Sequence, residues 1–147
     1  MNTNPKSTAL FIPCLVDAFA PEVGEAVAAV LRRLGIDPVY PEGQTCCGQP
    51  AFNSGYRKEA RTAARHFIEV FEPYGQIVCP SGSCVAMVRH HYAPLFEKDR
   101  IWLERARETA SRTFEFTEYL VDVLGVENVG AVFSGRITYP KRPGQFR

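Results

Sequence analysis

The first patterned stretch is a short apolar run, Ala9-Leu10-Phe11-Ile12, closed by Pro13. A run of that length ending at a breaker predicts a buried strand over Thr8 to Pro13. Pro21 then stands where a helix favours proline, and Val23, Ala26, Val27, Val30, Leu31 and Leu34 recur at helical spacing until Gly35, which predicts an amphipathic helix. Asp37 to Tyr40 reads as a second short strand. Pro41 to Gly55, rich in Gly, Gln, Pro, Asn and Ser, reads as a loop. Ala60, Ala63, Ala64, Phe67 and Phe71 share a face and predict a helix from Tyr56 to Glu72, which Pro73 ends. Gln76 to Cys79 gives a third strand. A helix after Ser83 carries Val85, Val88 and Tyr92, and a charged helix follows from Lys98 to Ala110. Phe114 and Phe116 alternate as in a fourth strand, Thr117 caps a helix through Leu124 that stops at Gly125, and Val129 to Phe133 and Ile137 to Tyr139 are candidates for further strand.

Strands separated by single helices predict an α/β fold, a small parallel sheet flanked by helices, because parallel neighbours need a crossover connection and a helix supplies one. A chain of 147 residues that is 46% hydrophobic has the length for one domain with its own core. The expected domain runs over residues 1–139, and the last eight residues, PKRPGQFR, lack periodicity and read as a loose tail, 140–147.

Charge adds little to this picture. The net charge of +1 carries no nucleic-acid footprint. Four of the 17 basic residues (Arg136, Lys141, Arg142 and Arg147) nevertheless lie beyond the last acidic one, Glu127, so the end of the chain differs from its body. The apolar run before Pro13 is too short for a signal segment or a membrane span, which makes a cytoplasmic protein the expectation.

The chemistry lies in five cysteines: Cys14, Cys46, Cys47, Cys79 and Cys84. An odd set of thiols in a reducing compartment points to metal binding or reactivity rather than disulfides. On the predicted fold each follows the carboxyl end of a strand, and in a parallel sheet those ends share one edge, so all five can converge although they span 71 positions. Soft thiolates without an intervening His fit an iron–sulfur cluster or tetrahedral zinc. The vicinal pair Cys46-Cys47 suits a multinuclear cluster better, since adjacent side chains diverge. Gly43, Gly48 and Gly82 let backbone approach a bulky ligand, and Gly48 and Gly82 are the candidate cofactor-contacting positions.

Of the other candidates, His66, His90 and His91 read as helix-surface residues, Trp102 as packing, and the mixed-charge run from Glu97 to Glu108 as a solvated helix face. Asn53, Ser54 and Gly55 read as a turn, close enough to Cys47 to leave a substrate or partner contact open. No GxGxxG, Walker or GxSxG sequence is present.

The spacing Cys14, 31 residues, Cys46-Cys47-Gly48, 36 residues, Cys84, with the phrases TCCGQPAFNSGY, CPSGSCVAMVRHHY and FTEYLVDVLG, resembles the CCG cysteine-rich family, in particular its lactate utilization protein A branch. The same repeat occurs in heterodisulfide reductase and in the iron–sulfur subunits of glycolate oxidase and glycerol-3-phosphate dehydrogenase. The resemblance implies an iron–sulfur electron-transfer component of an L-lactate oxidation complex, with iron–sulfur and flavin-type redox subunits as partners and no catalytic acid or base of its own. It implies Cys14, Cys46, Cys47 and Cys84 as ligands of a 4Fe-4S or noncubane cluster. The final cysteine of the repeat is Met87 here, and Cys79 is an additional thiol that could take its place. The resemblance also implies a second repeat. Gly135 to Tyr139 is similar to its opening strand, yet the pattern is lost from Pro140 onward, so a truncated chain or a change of frame is expected. The alternatives left open are a thiol/disulfide half-site with Cys46 or Cys47 as nucleophile, and a structural-zinc or metal-free remnant.

Overall fold

The computed structural model describes residues 7–137. Three short parallel strands form one sheet in the order β1 (Thr8–Leu10), β2 (Gln76–Cys79), β3 (Thr113–Glu115), with Ala9 opposite Ile77 and Val78 opposite Phe114. The helices are α1 (Cys14–Phe19), α2 (Pro21–Arg33), α3 (Gln49–Asn53), α4 (Arg57–Phe71), α5 (Gly82–Ala86), α6 (Tyr92–Leu95), α7 (Arg100–Ser111) and α8 (Phe116–Glu118). A π-turn over Met87–His91 joins α5 to α6, and another over Tyr119–Val123 extends α8. The predicted α/β class and parallel sheet are observed.

Side chains alternate across the sheet, so its two faces bury different sets. Leu10, Ile12 and Val78 pack against Val27 and Leu31 of α2, while Ala9, Phe11, Ile77 and Cys79 pack with Ala60, Ala64, Phe67, Ile68 and Phe71 of α4 and with the segment from Val85 to Tyr92. Phe11 meets the rings of Phe67 and Phe71 edge-on at centroid distances of 4.9 and 5.6 Å. Further out, Trp102 stacks on Phe96 at 5.7 Å beneath the Arg105 guanidinium, and Arg105 pairs through two 2.9 Å hydrogen bonds with Glu72. The charged face of α7 therefore contributes a tie to α4 as well as solvation.

Three expectations are corrected. The second strand shrinks to a single bridge between Val39 and Ala9, because Pro38 and Pro41 flank Val39 and neither has an N–H to continue the ladder. Phe116 begins α8 rather than continuing β3, and the cap is Glu115, not Thr117. The Glu115 carboxylate accepts from the N–H groups of Thr117 and Glu118 at 2.7 and 3.2 Å, and the Glu118 carboxylate in turn accepts the Glu115 N–H at 3.2 Å. Val129 to Phe133 forms no strand and stays exposed, with Val132 92% accessible, and Ile137 is likewise outside any strand. Thr138, Tyr139 and the tail 140–147 lie outside the described residues. Among the described residues no helix is long and apolar enough to cross a membrane.

The corrected cap makes a measurable prediction. Glu115→Ala should cost about 1 kcal/mol in urea unfolding, the usual worth of a lost N-cap, while Thr117→Ala at its exposed position should stay within about 0.5 kcal/mol of the native chain. Equal losses would return the cap to Thr117.

Candidate metal centre

β1 and β2 run parallel, so the chain leaves both at the same edge. After β1, Phe11, Ile12 and Pro13 lead to Cys14 as the first residue of α1. After the Val39 bridge the chain turns through Pro41 to Gly48 and carries Cys46 and Cys47, and Gly48 opens α3. β2 ends on Cys79 itself, and Pro80 and Ser81 lead into α5 with Cys84 in its first turn.

Two glutamines hold the Cys46-Cys47 loop in place. The Gln44 side-chain amide acts as one more rung of the sheet: its Oε1 accepts from the Ile12 N–H at 2.8 Å, and its Nε2 donates to the Leu10 and Pro41 carbonyls at 3.1 and 3.2 Å. On the other side Gln49 Nε2 donates to the Ser83 carbonyl at 3.3 Å, tying the start of α3 to the turn that carries Cys84. From below, the fully buried Tyr92 donates its hydroxyl to the Cys47 carbonyl at 2.9 Å. His66 bonds the Gly43 carbonyl at 2.7 Å, so it anchors the same loop from α4 instead of standing free on the helix surface.

The thiols meet in pairs. Cys14 Sγ lies 3.5 Å from Cys46 Sγ, which also accepts the Gly48 N–H at 3.4 Å. Cys47 hydrogen-bonds to Cys84, and the Cys84 charge in turn acts on Cys14 and Cys79. All five are free thiols, Cys14 exposed, Cys46 half-buried and the other three buried. The hydrogen bond from Cys47, joined by those of Ser81 and Ser83 and opposed by burial, lowers the Cys84 thiol to a pKa of about 6. The reciprocal effect of that bond, with burial, pushes Cys47 up. Burial first, and then the Cys84 charge, raises Cys79, while Cys14 is raised by burial and by its bond to Cys46. Raised Cys14, Cys47 and Cys79 thiols favour their protonated forms, so loading a metal there must release protons.

The donor set is sulfur only, and it comes as pairs around an edge. Among the described residues no three His, Cys, Asp or Glu side chains gather around a single point that could hold one metal ion. A multinuclear cluster makes a different demand, because each thiolate meets its own iron and the ligands need not close on one centre. The soft, paired thiols fit that group better than they fit a lone zinc.

The sequence of residues 8–89, from β1 to the middle of the first π-turn and including all five thiols, matches the cysteine-rich domain CCG. The chain belongs to the CCG cysteine-rich domain family. It is 51% identical over 119 residues to lactate utilization protein A 2 of Bacillus cereus (strain Q1), an alignment covering 81% of this chain and 49% of that protein. To lactate utilization protein A of Geobacillus sp. (strain WCH70) it is 48% identical over 130 residues, covering 88% and 54%. To that of Anoxybacillus flavithermus (strain DSM 21510 / WK1) it is 51% identical over 130 residues, again covering 88% and 54%. The chain spans about half the length of the curated relatives it matches. No solved structure matches it.

Within this CCG domain the glycine of the name has a double reason to be glycine. Gly48 sits at φ +84°, and a Cβ there would lie 3.0 Å from the Cβ of Ala63 and 3.4 Å from the Ala60 carbonyl. Gly82 differs, since a Cβ there would meet nothing within 4 Å, which leaves open space beside the Cys84 turn. Met87 is fully buried and packs in the core with Val85, Val88 and Tyr92, and Cys79, equally buried, leans on the Ser81 carbonyl at 3.8 Å. Of the other candidates, His91 stacks on Phe52 at 4.6 Å, His90 is exposed, and Asn53, Ser54 and Gly55 form an exposed turn at the end of α3. Sequence reasoning missed Gln44, Gln49, Tyr92 and Ser81. The signal for the first two was their symmetric placement around Thr45-Cys46-Cys47-Gly48, and for Ser81 its position three before Cys84, where an N-cap belongs.

The glycine contrast is testable on the metal-free chain. Gly48→Ala should lose on the order of 1–3 kcal/mol in urea unfolding because it strains both backbone and packing, whereas Gly82→Ala should be within about 0.5 kcal/mol of native. Similar values for the two would remove the close-packing argument for Gly48.

Proposed function

We propose that this chain binds an iron–sulfur cluster through Cys14, Cys46, Cys47 and Cys84 and serves as the electron-transfer component of an L-lactate oxidation system. The observation that carries the reading is the meeting of thiols from three separate chain segments at one sheet edge, Cys14 on Cys46 at 3.5 Å and Cys47 on Cys84. The relatives' names supply lactate, and the partners we assign to the chain are iron–sulfur and flavin-type redox subunits in a cytoplasmic assembly.

When bound, the cluster supplies a one-electron carrier. The protein's own residues do the rest. Cys47 and Cys84, at 3% and 8% exposure, keep their sulfurs from water, while Cys14 on the outside leaves one side of the edge open to a redox partner. The Gly48 N–H donates to the Cys46 sulfur, a contact of the kind that orients a ligand sulfur. Cys79 stands behind Cys84 as the fifth thiol, and we assign it to the same cluster environment in place of Met87.

One observation favours a second reading, a thiol/disulfide half-site: Cys84 has the low pKa of a nucleophile and Cys47 lies beside it. Access opposes it. The most acidic thiol is buried and the most exposed one, Cys14, has its pKa raised, whereas a reactive cysteine needs both properties in one sulfur.

Anaerobic isolation followed by iron and acid-labile sulfide analysis separates the readings. The native chain should be brown and contain both elements. Cys47→Ser and Cys14→Ser should each lose more than half of the iron, while His90→Ala and His91→Ala should keep it. A colourless native chain with one rapidly alkylated thiol would establish the half-site reading in its place.

A further inference from the structure

One thiol pair at the sheet edge is both close and accessible. Cys14 Sγ and Cys46 Sγ lie 3.5 Å apart, with Cys14 exposed and Cys46 half-buried, while Cys47, Cys79 and Cys84 are buried. We propose that Cys14 and Cys46 close into a disulfide when the metal-free chain meets a low-molecular-weight disulfide, and that this reversible bond withholds two sulfurs of the edge from iron until it is reduced. The bond itself needs only the two thiols; its effect on iron rests on the cluster reading above.

The geometry leaves little to be done. A disulfide holds its sulfurs about 2 Å apart, so the pair has to close by roughly 1.5 Å. The two sides of that gap differ in freedom. Cys46 lies on the loop that Gln44 fixes to the end of β1, and its sulfur accepts the Gly48 N–H at 3.4 Å, so it presents one position. Cys14 is the first residue of α1, a helix with no buried residue, so the segment can follow its cysteine inward without opening the core. The two cysteines are 32 positions apart in sequence, but the fold already holds them together and no loop remains to be closed.

The step is thiol–disulfide exchange. The thiolate of one of the two cysteines attacks the small disulfide, whose sulfur–sulfur bond breaks; a mixed disulfide forms on the protein and one small thiolate leaves. The neighbouring cysteine, as thiolate, then attacks the protein sulfur of the mixed disulfide, and the second small thiolate leaves. The protein loses two electrons and two protons, and the small disulfide becomes two thiols. The second attack is intramolecular, between sulfurs that the fold has already brought together, which favours it over reaction with another molecule of the small disulfide. A catalytic thiol must react rapidly at every turnover, whereas a bond formed once relies on proximity. Cys47 and Cys84 are neighbours too, yet their burial denies a small disulfide the approach in line with the sulfur that exchange requires.

The test treats the full chain, with its iron and after removal of metal by a chelator, with oxidised glutathione, blocks the remaining thiols with N-ethylmaleimide and maps tryptic peptides by mass. Cleavage after Lys and Arg separates Cys14 (7–32), Cys46 with Cys47 (34–57) and Cys79 with Cys84 (66–89). More than half of the metal-free chain should carry a cross-link between 7–32 and 34–57, lighter than the two thiol peptides together by two hydrogen atoms and lost on treatment with dithiothreitol. Cys47→Ser should keep the cross-link. Cys14→Ser, at an exposed position, should lose it and carry a glutathione adduct on 34–57. Glutathione adducts without a cross-link in the native metal-free chain, or a cross-link between 34–57 and 66–89 in its place, would overturn the proposal. The iron-loaded chain should form several-fold less of the cross-link, because bound iron occupies the same sulfurs. Equal cross-linking with the iron retained would leave the disulfide standing and remove Cys14 and Cys46 as ligands. A native chain isolated without iron would overturn the cluster reading, and the metal-free arm would still decide the disulfide.

Discussion

The parallel pairing of β1 with β2 is the constraint on which the site depends. Two strands running the same way must release the chain at the same edge, and the crossover between them must lie on a face of the sheet. Antiparallel pairing would put Cys14 and Cys79 at opposite ends of the sheet. With parallel pairing, residues as distant in sequence as Cys14 and Cys84 become neighbours, and the helices that start at that edge carry their thiols in the first turn. The strands are only three or four residues long, so the pairing survives because both faces are buried, by α2 on one side and by α4 with the Val85 to Tyr92 segment on the other.

The loop between Pro41 and Gly48 is where this arrangement would otherwise be weakest, since it follows a single β-bridge and not a strand. Side chains take over what the backbone cannot do there. Gln44 completes the hydrogen bonds of Leu10 and Ile12, His66 holds the Gly43 carbonyl, and Tyr92 reaches from the core to the carbonyl of Cys47. The vicinal cysteines are thus fixed on a loop braced from three elements. The same bracing shapes their electrostatics, because placing Cys47 beside Cys84 pushes the Cys47 thiol up while their hydrogen bond lowers Cys84.

The strand-to-helix order, the parallel sheet and the common edge of the thiols were legible in the sequence, because they follow from run length, helical periodicity and the geometry of crossovers. The errors were local. Asp37 to Tyr40 has the apolar content of a strand, but two prolines restrict it to one bridge. Phe114 and Phe116 alternate, yet the Glu115 and Glu118 reciprocal cap outweighs that alternation and starts a helix at Phe116. Short α3 was hidden in a stretch rich in Gly, Pro and Asn, because five residues are too few to show a period. The braces Gln44, Gln49 and Tyr92 act through contacts between segments far apart in sequence, and local pattern carries no trace of such contacts. Met87 was a question of ligation in the sequence and is a core residue in the fold.

The central claim is that thiols brought to one sheet edge hold a single multinuclear centre. Iron-edge X-ray absorption on the anaerobically isolated chain tests it most directly, because it reports the atoms bound to iron and the presence of a second iron nearby. The account predicts an iron environment made of sulfur alone, with clear iron–iron scattering. A first shell containing nitrogen or oxygen donors, or iron without an iron neighbour, would contradict it.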